Sequence, residues 1–530
     1  MRELDTLAPA DRLPILRVFL PVEAEAVERG WQFQRSQPHS SRYGQGTLWR
    51  APGRPDLALA QRQTWLLALA GVIGAYHEDV FWLARHAAYL HDYHGHTLGL
   101  LFAAVIEADP DRGDALFDQL MATARGEDAV ASYGRYLPVA LLAASRPEGW
   151  ACIERVLLGA AREEGVRQTI LEALSAAHPH AFAHMLGLIG EHQLTRFSAV
   201  TRAVNGWLGT TWDSAQAPAV ARTVEALRLM LTDPERRERA LAEGSGEEAY
   251  LALWATATED VMAALPQAER LLDDPDVARR YAATRLLAGT LLREALPLLA
   301  GRLRDADPRV AAQACVGLQS LAYPAARAGT AHELAADPLF EAIEAALPGL
   351  PARARTMPPL LWNVPVPPAT REHAADLLLT FLGARDPRRL IPYLGTMSQS
   401  GRVNAAKRLA QDGLSDAAVR QAVMGLARDR SRHVADQALT LLAAAPVDQV
   451  DDATLAALEA LLGRKLEALR RSVMALVLRL PDARALASTE RLLGSGNVAQ
   501  RLAGLELVRL LHEAGRAPEG TAALARAYRA

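Results

Sequence analysis

The sequence predicts an all-α fold, an α-solenoid made of stacked helix pairs. Two near-copies carry this prediction. Residues 264–278 contain Ala-Leu-Pro, Leu-Leu and Asp-Pro-Asp-Val-Ala, and residues 295–311 repeat the order as Ala-Leu-Pro, Leu and Asp-Pro-Arg-Val-Ala. The matching valines, Val277 and Val310, are about 33 residues apart, and a period of roughly 30–40 residues is typical of one helical unit stacked many times. The composition agrees, because 50% of the residues are apolar but only 5% are aromatic, which leaves Ala and Leu to build a helical core.

Five segments follow one another along the chain. They are N-terminal helices with a Gly/Pro/Ser-rich loop (1–55), divergent helical repeats (56–262), clear repeats (263–347), a Pro-rich break (348–370) and C-terminal repeats (371–530). In the second segment, Pro110, Pro147 and Pro179 each precede an apolar pattern of helical period, and proline is preorganised for the first turn of a helix. The break has seven prolines within 21 residues, which no helix tolerates.

The repeat has a recognisable internal pattern. Asp305 is followed by Val310, Ala311, Ala314 and Leu318, and the same spacing recurs from Asp429 to Leu442. The Asp is suited to accept N–H groups at a helix start, and the apolar residues form the stripe that packs on the next unit. This pattern resembles the HEAT repeat. The resemblance implies a right-handed superhelix of antiparallel helix pairs.

Two longer stretches, residues 167–213 and 464–511, resemble the helical N-terminal part of large bacterial proteins. In that family a HEAT-like array precedes a C-terminal domain of unknown function, some members carry a WGR module, and one is named a molybdate metabolism regulator. This chain has no Trp-Gly-Arg tripeptide, and its helical pattern continues to Ala530, so we expect a fragment or a short member. The family has no established reaction, and no functional residue is transferred from it.

The charge and the cysteines restrict the functional class. The net charge is −3, which does not suit a strongly basic nucleic-acid binder, although residues 371–530 carry +6 and residues 1–370 carry −9. Cys152 and Cys315 lie far apart and are expected to be isolated core residues. The sequence has no signal-peptide pattern and no run of about 18 uncharged apolar residues, so a cytoplasmic protein that does not enter a membrane is expected.

Histidines form the only unusual cluster. His91 and His94 are three residues apart and His180 and His184 are four apart, spacings that place both imidazoles of a pair on one helix face, as a metal site requires. No Cys lies near them and no His-Glu-x-x-His motif occurs. We therefore expect structural histidines at helix ends, no bound metal and no cofactor, and keep these four residues as weak metal candidates.

Enzymatic activity is not expected. HEAT-like hydroxylases use His-Glu pairs at matching repeat positions, and the pairs of this chain are too far apart to face one another. HEAT-like alkylpurine DNA glycosylases use an Asp among aromatic residues, for which Asp213, after Trp212, is the local candidate. A capped helix end anchored by Trp is the favoured interpretation of this segment.

Two functional hypotheses follow. The favoured one is a non-catalytic scaffold that binds a protein partner or orients an attached domain. The alternative is a nucleic-acid-binding solenoid whose basic side chains contact phosphates without reading bases. The residues that would contact phosphate are Arg402, Lys407, Arg408, Arg430, Arg432, Arg470, Arg471 and Arg501. Acidic residues interrupt this stripe, and aromatic residues for base stacking are nearly absent from it, which disfavours the alternative.

Overall fold

The computed structural model describes residues 110–124, 136–160, 164–174, 177–259, 261–290, 294–327, 337–383, 385–411, 414–462 and 467–529, with Gly99, Phe102, Ala103 and Ile106. The segment predicted for residues 1–55 lies outside these residues, as do His91 and His94. Regular secondary structure in the described ranges is helical, without strands. The α-helices are α1 (Pro110–Thr123), α2 (Tyr136–Ala143), α3 (Pro147–Gly159), α4 (Glu164–Ala173), α5 (Pro179–Glu191), α6 (Ser198–Leu208), α7 (Ala217–Thr232), α8 (Pro234–Glu243), α9 (Gly246–Glu259), α10 (Val261–Leu271), α11 (Val277–Thr290), α12 (Ala295–Arg302), α13 (Pro308–Arg327), α14 (Asp337–Ala346), α15 (Arg371–Thr380), α16 (Gln399–Ala410), α17 (Ala417–Leu426), α18 (Arg432–Ala444), α19 (Asp452–Leu461), α20 (Glu467–Val477), α21 (Asp482–Leu493), α22 (Val498–Glu513) and α23 (Pro518–Arg529).

The chain forms two units, Met1–Thr370 and Arg371–Ala530. In the first unit, α5, α7, α9, α11 and α13 pack side by side in one layer, and α2, α4 and α6 pack in the other. In the second unit, α16, α18, α20 and α22 form one layer and α17, α19, α21 and α23 the other. Each helix therefore contacts its neighbours one and two places along the chain, and the α-solenoid expected from the sequence is confirmed.

The helix starts and the core follow from local sequence. Helices α1, α3 and α5 begin at Pro110, Pro147 and Pro179, as predicted. The core is mainly Ala, Leu and Val, and it includes an aromatic cluster in which the ring of Phe182 lies 5.1 Å from that of Trp207 and 5.6 Å from that of Trp254. Aromatic pairs at such tilted, edge-on geometries stabilise beyond their buried area.

The turns of the repeat use their aspartates as predicted. Asp305 accepts the N–H of Asp307 at 2.9 Å, and Asp429 accepts the N–H of Ser431 at 2.7 Å. The structure adds a partner from the preceding repeat. Arg280 donates from Nε and Nη2 to Asp305 at 3.1 and 3.2 Å. A second arginine, Arg402, donates from Nη2 to Asp429 at 3.2 Å, and its Nε lies 2.8 Å from the other oxygen of that carboxylate. One carboxylate thus orders its own turn and ties two repeats together.

The environment of the two cysteines agrees with the sequence. Cys152 and Cys315 are both buried and unpaired, as expected for core residues, and burial raises the pKa of Cys315 to about 12. Among the described helices, none combines the length and the apolar composition needed to cross a bilayer.

Candidate functional site

A groove of about 530 Å³ lies between α5 and α7 in the first unit and reaches the end of α9. Small residues on α5 leave the space: a Cβ added at Gly187 would lie 3.7 Å from Cδ of Arg228, an ordinary contact distance. The lining combines apolar, basic and acidic side chains. It comprises Pro179, His180, Ala183, His184, Gly187, Leu188, Glu191, Arg228, Leu231, Thr232 and Glu259.

Ion pairs fix the charged rim of this groove. Nε2 of His184 lies 2.9 Å from a carboxylate oxygen of Glu154 on α3, and Nη1 of Arg237 lies 2.8 Å from Glu259. Arg228 donates from Nε and Nη2 to Glu225 at 2.8 and 2.6 Å. This bidentate hydrogen bond lowers the pKa of Glu225 and raises that of Arg228. The rim therefore presents charges in fixed positions beside apolar surface, a combination suited to a protein segment.

The two predicted metal candidates of α5 have different surroundings, and in the described part of the chain only the imidazole of His184 has a hydrogen-bond partner. His184 binds Glu154, and the backbone N–H of His180 donates to Nδ1 of His178 at 3.3 Å. By accepting this N–H, His178 caps the start of α5, and its ring stacks on Trp150 at 5.7 Å. Within the described residues, no group of three or more His, Cys, Asp or Glu side chains is arranged to hold a metal ion.

The Trp212-Asp213 segment forms a capped helix end, as expected. Asp213 accepts the N–H of Ala215 at 2.8 Å, and its own N–H donates to Gln216 at 2.8 Å, which completes a capping box at the 3₁₀ helix Ser214–Gln216. Asn205 holds the preceding loop, since its Oδ1 accepts the N–H of Trp212 at 3.1 Å. The hydrogen bonds of the Asp213 carboxylate thus give it a structural role.

The predicted phosphate-contacting residues of the second unit have different environments. Arg402 is buried against Asp429, Arg470 is paired with Glu506, and Arg432 lies 3.5 Å from Asp436. Arg408 donates to Gln411 at 3.0 Å and Arg501 to the carbonyl oxygen of Ser495 at 2.8 Å. Four of these residues occupy exposed positions, Lys407, Arg430, Arg432 and Arg471. The structure therefore places several of these cations in intramolecular contacts that the sequence alone does not reveal.

Comparison with known proteins gives a family and distant structural similarities. The model of a family of unknown function, DUF5724, matches residues 9–529. No curated protein matches the sequence.

Three solved structures are similar at low identity. An engineered protein is 15% identical with a TM-score of 0.25, covering 77% of this chain and 98% of that chain. She4p is 12% identical with a TM-score of 0.27, covering 95% and 79%. The UNC-45 chaperone, whose structure was described for features critical for binding and folding muscle myosin, is 14% identical with a TM-score of 0.25. The match covers 85% of this chain and 64% of that chain. Similarities at this level assign no function to this chain.

Proposed function

We propose that this chain, which belongs to the DUF5724 family of unknown function, is a non-catalytic scaffold whose helical repeats bind a protein partner. The groove between α5 and α7 carries the proposal. It is open, and apolar residues such as Ala183 and Leu231 lie within it beside fixed ion pairs. A partner segment with apolar side chains and a basic side chain fits this surface, because Glu191 lines it, whereas Glu259 is already paired with Arg237.

The acidic residues of the groove also argue against nucleic acid as its ligand. A phosphate backbone entering the groove would approach the carboxylate of Glu191, whereas Arg228 and Glu259 are already paired with Glu225 and Arg237. Phosphate binding draws its affinity from basic side chains that release counterions, and this lining does not provide a row of them. The groove therefore favours protein over nucleic acid as the partner.

The nucleic-acid alternative rests on the second unit. Its support is the charge of +6 on residues 371–530 and the exposed positions of Lys407, Arg430 and Arg471. Against it, Arg402 and Arg470 are bound to carboxylates in neighbouring repeats. The resemblance to proteins that include a molybdate metabolism regulator supports a further proposal. On this proposal, the scaffold serves a regulatory protein.

The test uses two substitutions on the same helix. Gly187→Gln places a long neutral side chain in the groove, and Gly190→Gln places the same side chain on the exposed end of α5, where a Cβ meets nothing within 4 Å. The wild-type chain and both variants are used to capture partners from a native extract, with and without nuclease, and bound proteins are identified by mass spectrometry.

We expect the wild-type chain to capture a partner protein even after nuclease treatment. The Gly190→Gln variant should still capture this partner, and the Gly187→Gln variant should not. Equal capture by the two variants would show that the groove is not the binding surface. Loss of all captured proteins on nuclease treatment would support the nucleic-acid alternative instead.

A further inference from the structure

The Pro-rich segment 351–369 returns to a part of the first unit that lies more than 100 residues earlier in the chain. It is not helical, and Ala352, Thr356 and the prolines Pro358 and Pro359 are exposed. Farther along, Leu361 and Val364 are buried, and the N–H of Val364 donates to the carbonyl oxygen of Leu361 at 3.0 Å. These four residues, 361–364, form a tight turn that we call the Trp-Asn turn.

Trp362 and Asn363 of the Trp-Asn turn contact α9 and the loop after α6 through backbone and side-chain groups. The backbone N–H of Trp362 donates to Oε1 of Glu247 at 2.6 Å. Asn363 accepts twice from Thr211, through Oδ1 from the N–H and through its carbonyl oxygen from the hydroxyl, both at 3.3 Å. The indole of Trp362 packs edge-on against Trp212 at 6.0 Å and against Tyr250 at 6.1 Å.

Trp212 and Tyr250, two of the residues that receive the turn, are also held by contacts outside it. Asn205 fixes the loop by accepting from Thr210 at 2.6 Å and by donating to the carbonyl oxygen of Trp212 at 2.8 Å. Arg285 of α11 lies 5.7 Å from the ring centre of Tyr250 and donates to the carbonyl oxygen of Leu208 at 2.9 Å. None of these four contacts uses a residue of the Pro-rich segment. The aromatic part of the receiving surface is therefore supported from within the rest of the unit.

Three features of the turn are those of a bound peptide. The turn makes its contacts through backbone groups and through the side chains of one tryptophan and one asparagine, a combination that is also used in peptide recognition. The flanking prolines restrict the free segment, which lowers the entropy lost on docking. Trp362 has a φ of 42°, a conformation that a bulky residue keeps only when its surroundings impose it. A segment needed only as a linker would not require these contacts.

We propose that Glu247, Thr211, Trp212 and Tyr250 form a peptide-binding site, and that the Trp-Asn turn is its resident ligand. The ligand of this site is a protein segment that forms a tight turn and presents an aromatic side chain followed by a carboxamide. A partner carrying such a segment binds when it displaces the resident turn. Because the turn is tethered to the unit, its effective concentration is in the millimolar range, so a free peptide competes poorly with it. This site is separate from the groove between α5 and α7.

The test is binding of a free peptide to a vacated site. The probe is a fluorescent synthetic peptide of residues 356–369, and the vacated chain carries Trp362→Ala with Asn363→Ala. We expect the vacated chain to bind the peptide at least about tenfold more tightly than the wild-type chain does. The peptide with the same two replacements should not bind. Adding Thr211→Ala and Glu247→Ala to the vacated chain should weaken binding by about tenfold or more, because the hydrogen bonds of the Thr211 hydroxyl and the Glu247 carboxylate are lost.

A folded vacated chain that does not bind the peptide would overturn the proposal and leave the turn as a structural clasp. If the vacated chain does not fold, hydrogen exchange of the wild-type chain with excess peptide decides. Faster exchange at Trp362 and Val364 with unchanged protection at Trp212 supports displacement. No change at any of these amides at saturating peptide concentration rejects it.

Discussion

Replacement of Gly317 by alanine tests a close packing contact between two repeats. Gly317 is a buried residue in α13, opposite Ala288 of α11. A Cβ at Gly317 would lie 2.7 Å from Cβ and 3.0 Å from Cα of Ala288, and 3.0 Å from Cδ1 of Leu299. The Cα of Ala288 belongs to the backbone of α11 and has no rotamer that relieves the contact. The two helices must therefore separate to admit one methyl group.

The expected change in the free energy of unfolding is the sum of two terms. Overpacking of a filled core costs about 1–3 kcal/mol. Alanine in a helix interior is about 1 kcal/mol more favourable than glycine, which offsets part of that loss. We expect Gly317→Ala to destabilise the first unit by up to about 2 kcal/mol.

The matched control is Gly206→Ala in α6, where a Cβ meets nothing within 4 Å. This variant keeps the gain in helix propensity without the clash, so it should be stabilised by up to about 1 kcal/mol. The two variants should differ by about 1–3 kcal/mol. Because the chain has two units, a single global transition is not assumed, and hydrogen exchange of α13 and α6 is measured beside the thermal melt. Equal effects of both substitutions would refute the close approach of α11 and α13.

Four further outcomes are expected. Val310→Asp buries an unpaired charge and should destabilise by about 3–5 kcal/mol, whereas Arg304→Asp, at an exposed position in the preceding turn, should change stability by less than about 0.5 kcal/mol in parallel melts. Burial raises the pKa of Asp376, so the folded unit loses stability as pH rises and this buried carboxyl group ionises. Asp376→Asn should therefore raise the melting temperature at pH 7 but not below about pH 4. Elemental analysis of the isolated chain should find no stoichiometric zinc or iron; one equivalent lost on replacing His180 and His184 by alanine would contradict this. Titration with duplex DNA at physiological salt should show no binding tighter than micromolar, and a nanomolar, salt-sensitive complex would reverse the order of our two hypotheses.

The features that the sequence predicted correctly depend on local chemistry. The helix starts at Pro110 and Pro179 follow from the fixed φ of proline, and the role of Asp305 follows from its position before an apolar helical stripe. The solenoid itself follows from the repeat period, because a helix pair that buries its apolar stripe only against similar pairs must stack. Each of these predictions needs a window no longer than two repeats.

The features that the sequence did not predict depend on contacts between distant positions. Composition identifies the Pro-rich segment as a break, but the docking of Trp362 on Tyr250 joins positions that only the folded unit brings together. The same holds for the groove, whose lining comes from α5, α7 and α9. A usable signal was present in both cases, since Trp362 is a tryptophan amid prolines and Gly187 interrupts the apolar run 185–189.

Pairing between repeats also changes what charge reversal in the second unit can establish. Arg402 is 6% exposed and holds Asp429, so reversing it leaves a buried carboxylate facing another and should cost about 3–5 kcal/mol. A loss of DNA binding in that variant would report on folding. Arg430 is exposed, and its reversal is expected to leave the fold unchanged. If Arg430→Asp weakens DNA binding and lessens its salt dependence without changing the thermal melt, Arg430 contacts phosphate. If only Arg402→Asp has an effect, the positive charge of this unit serves to hold the repeats together.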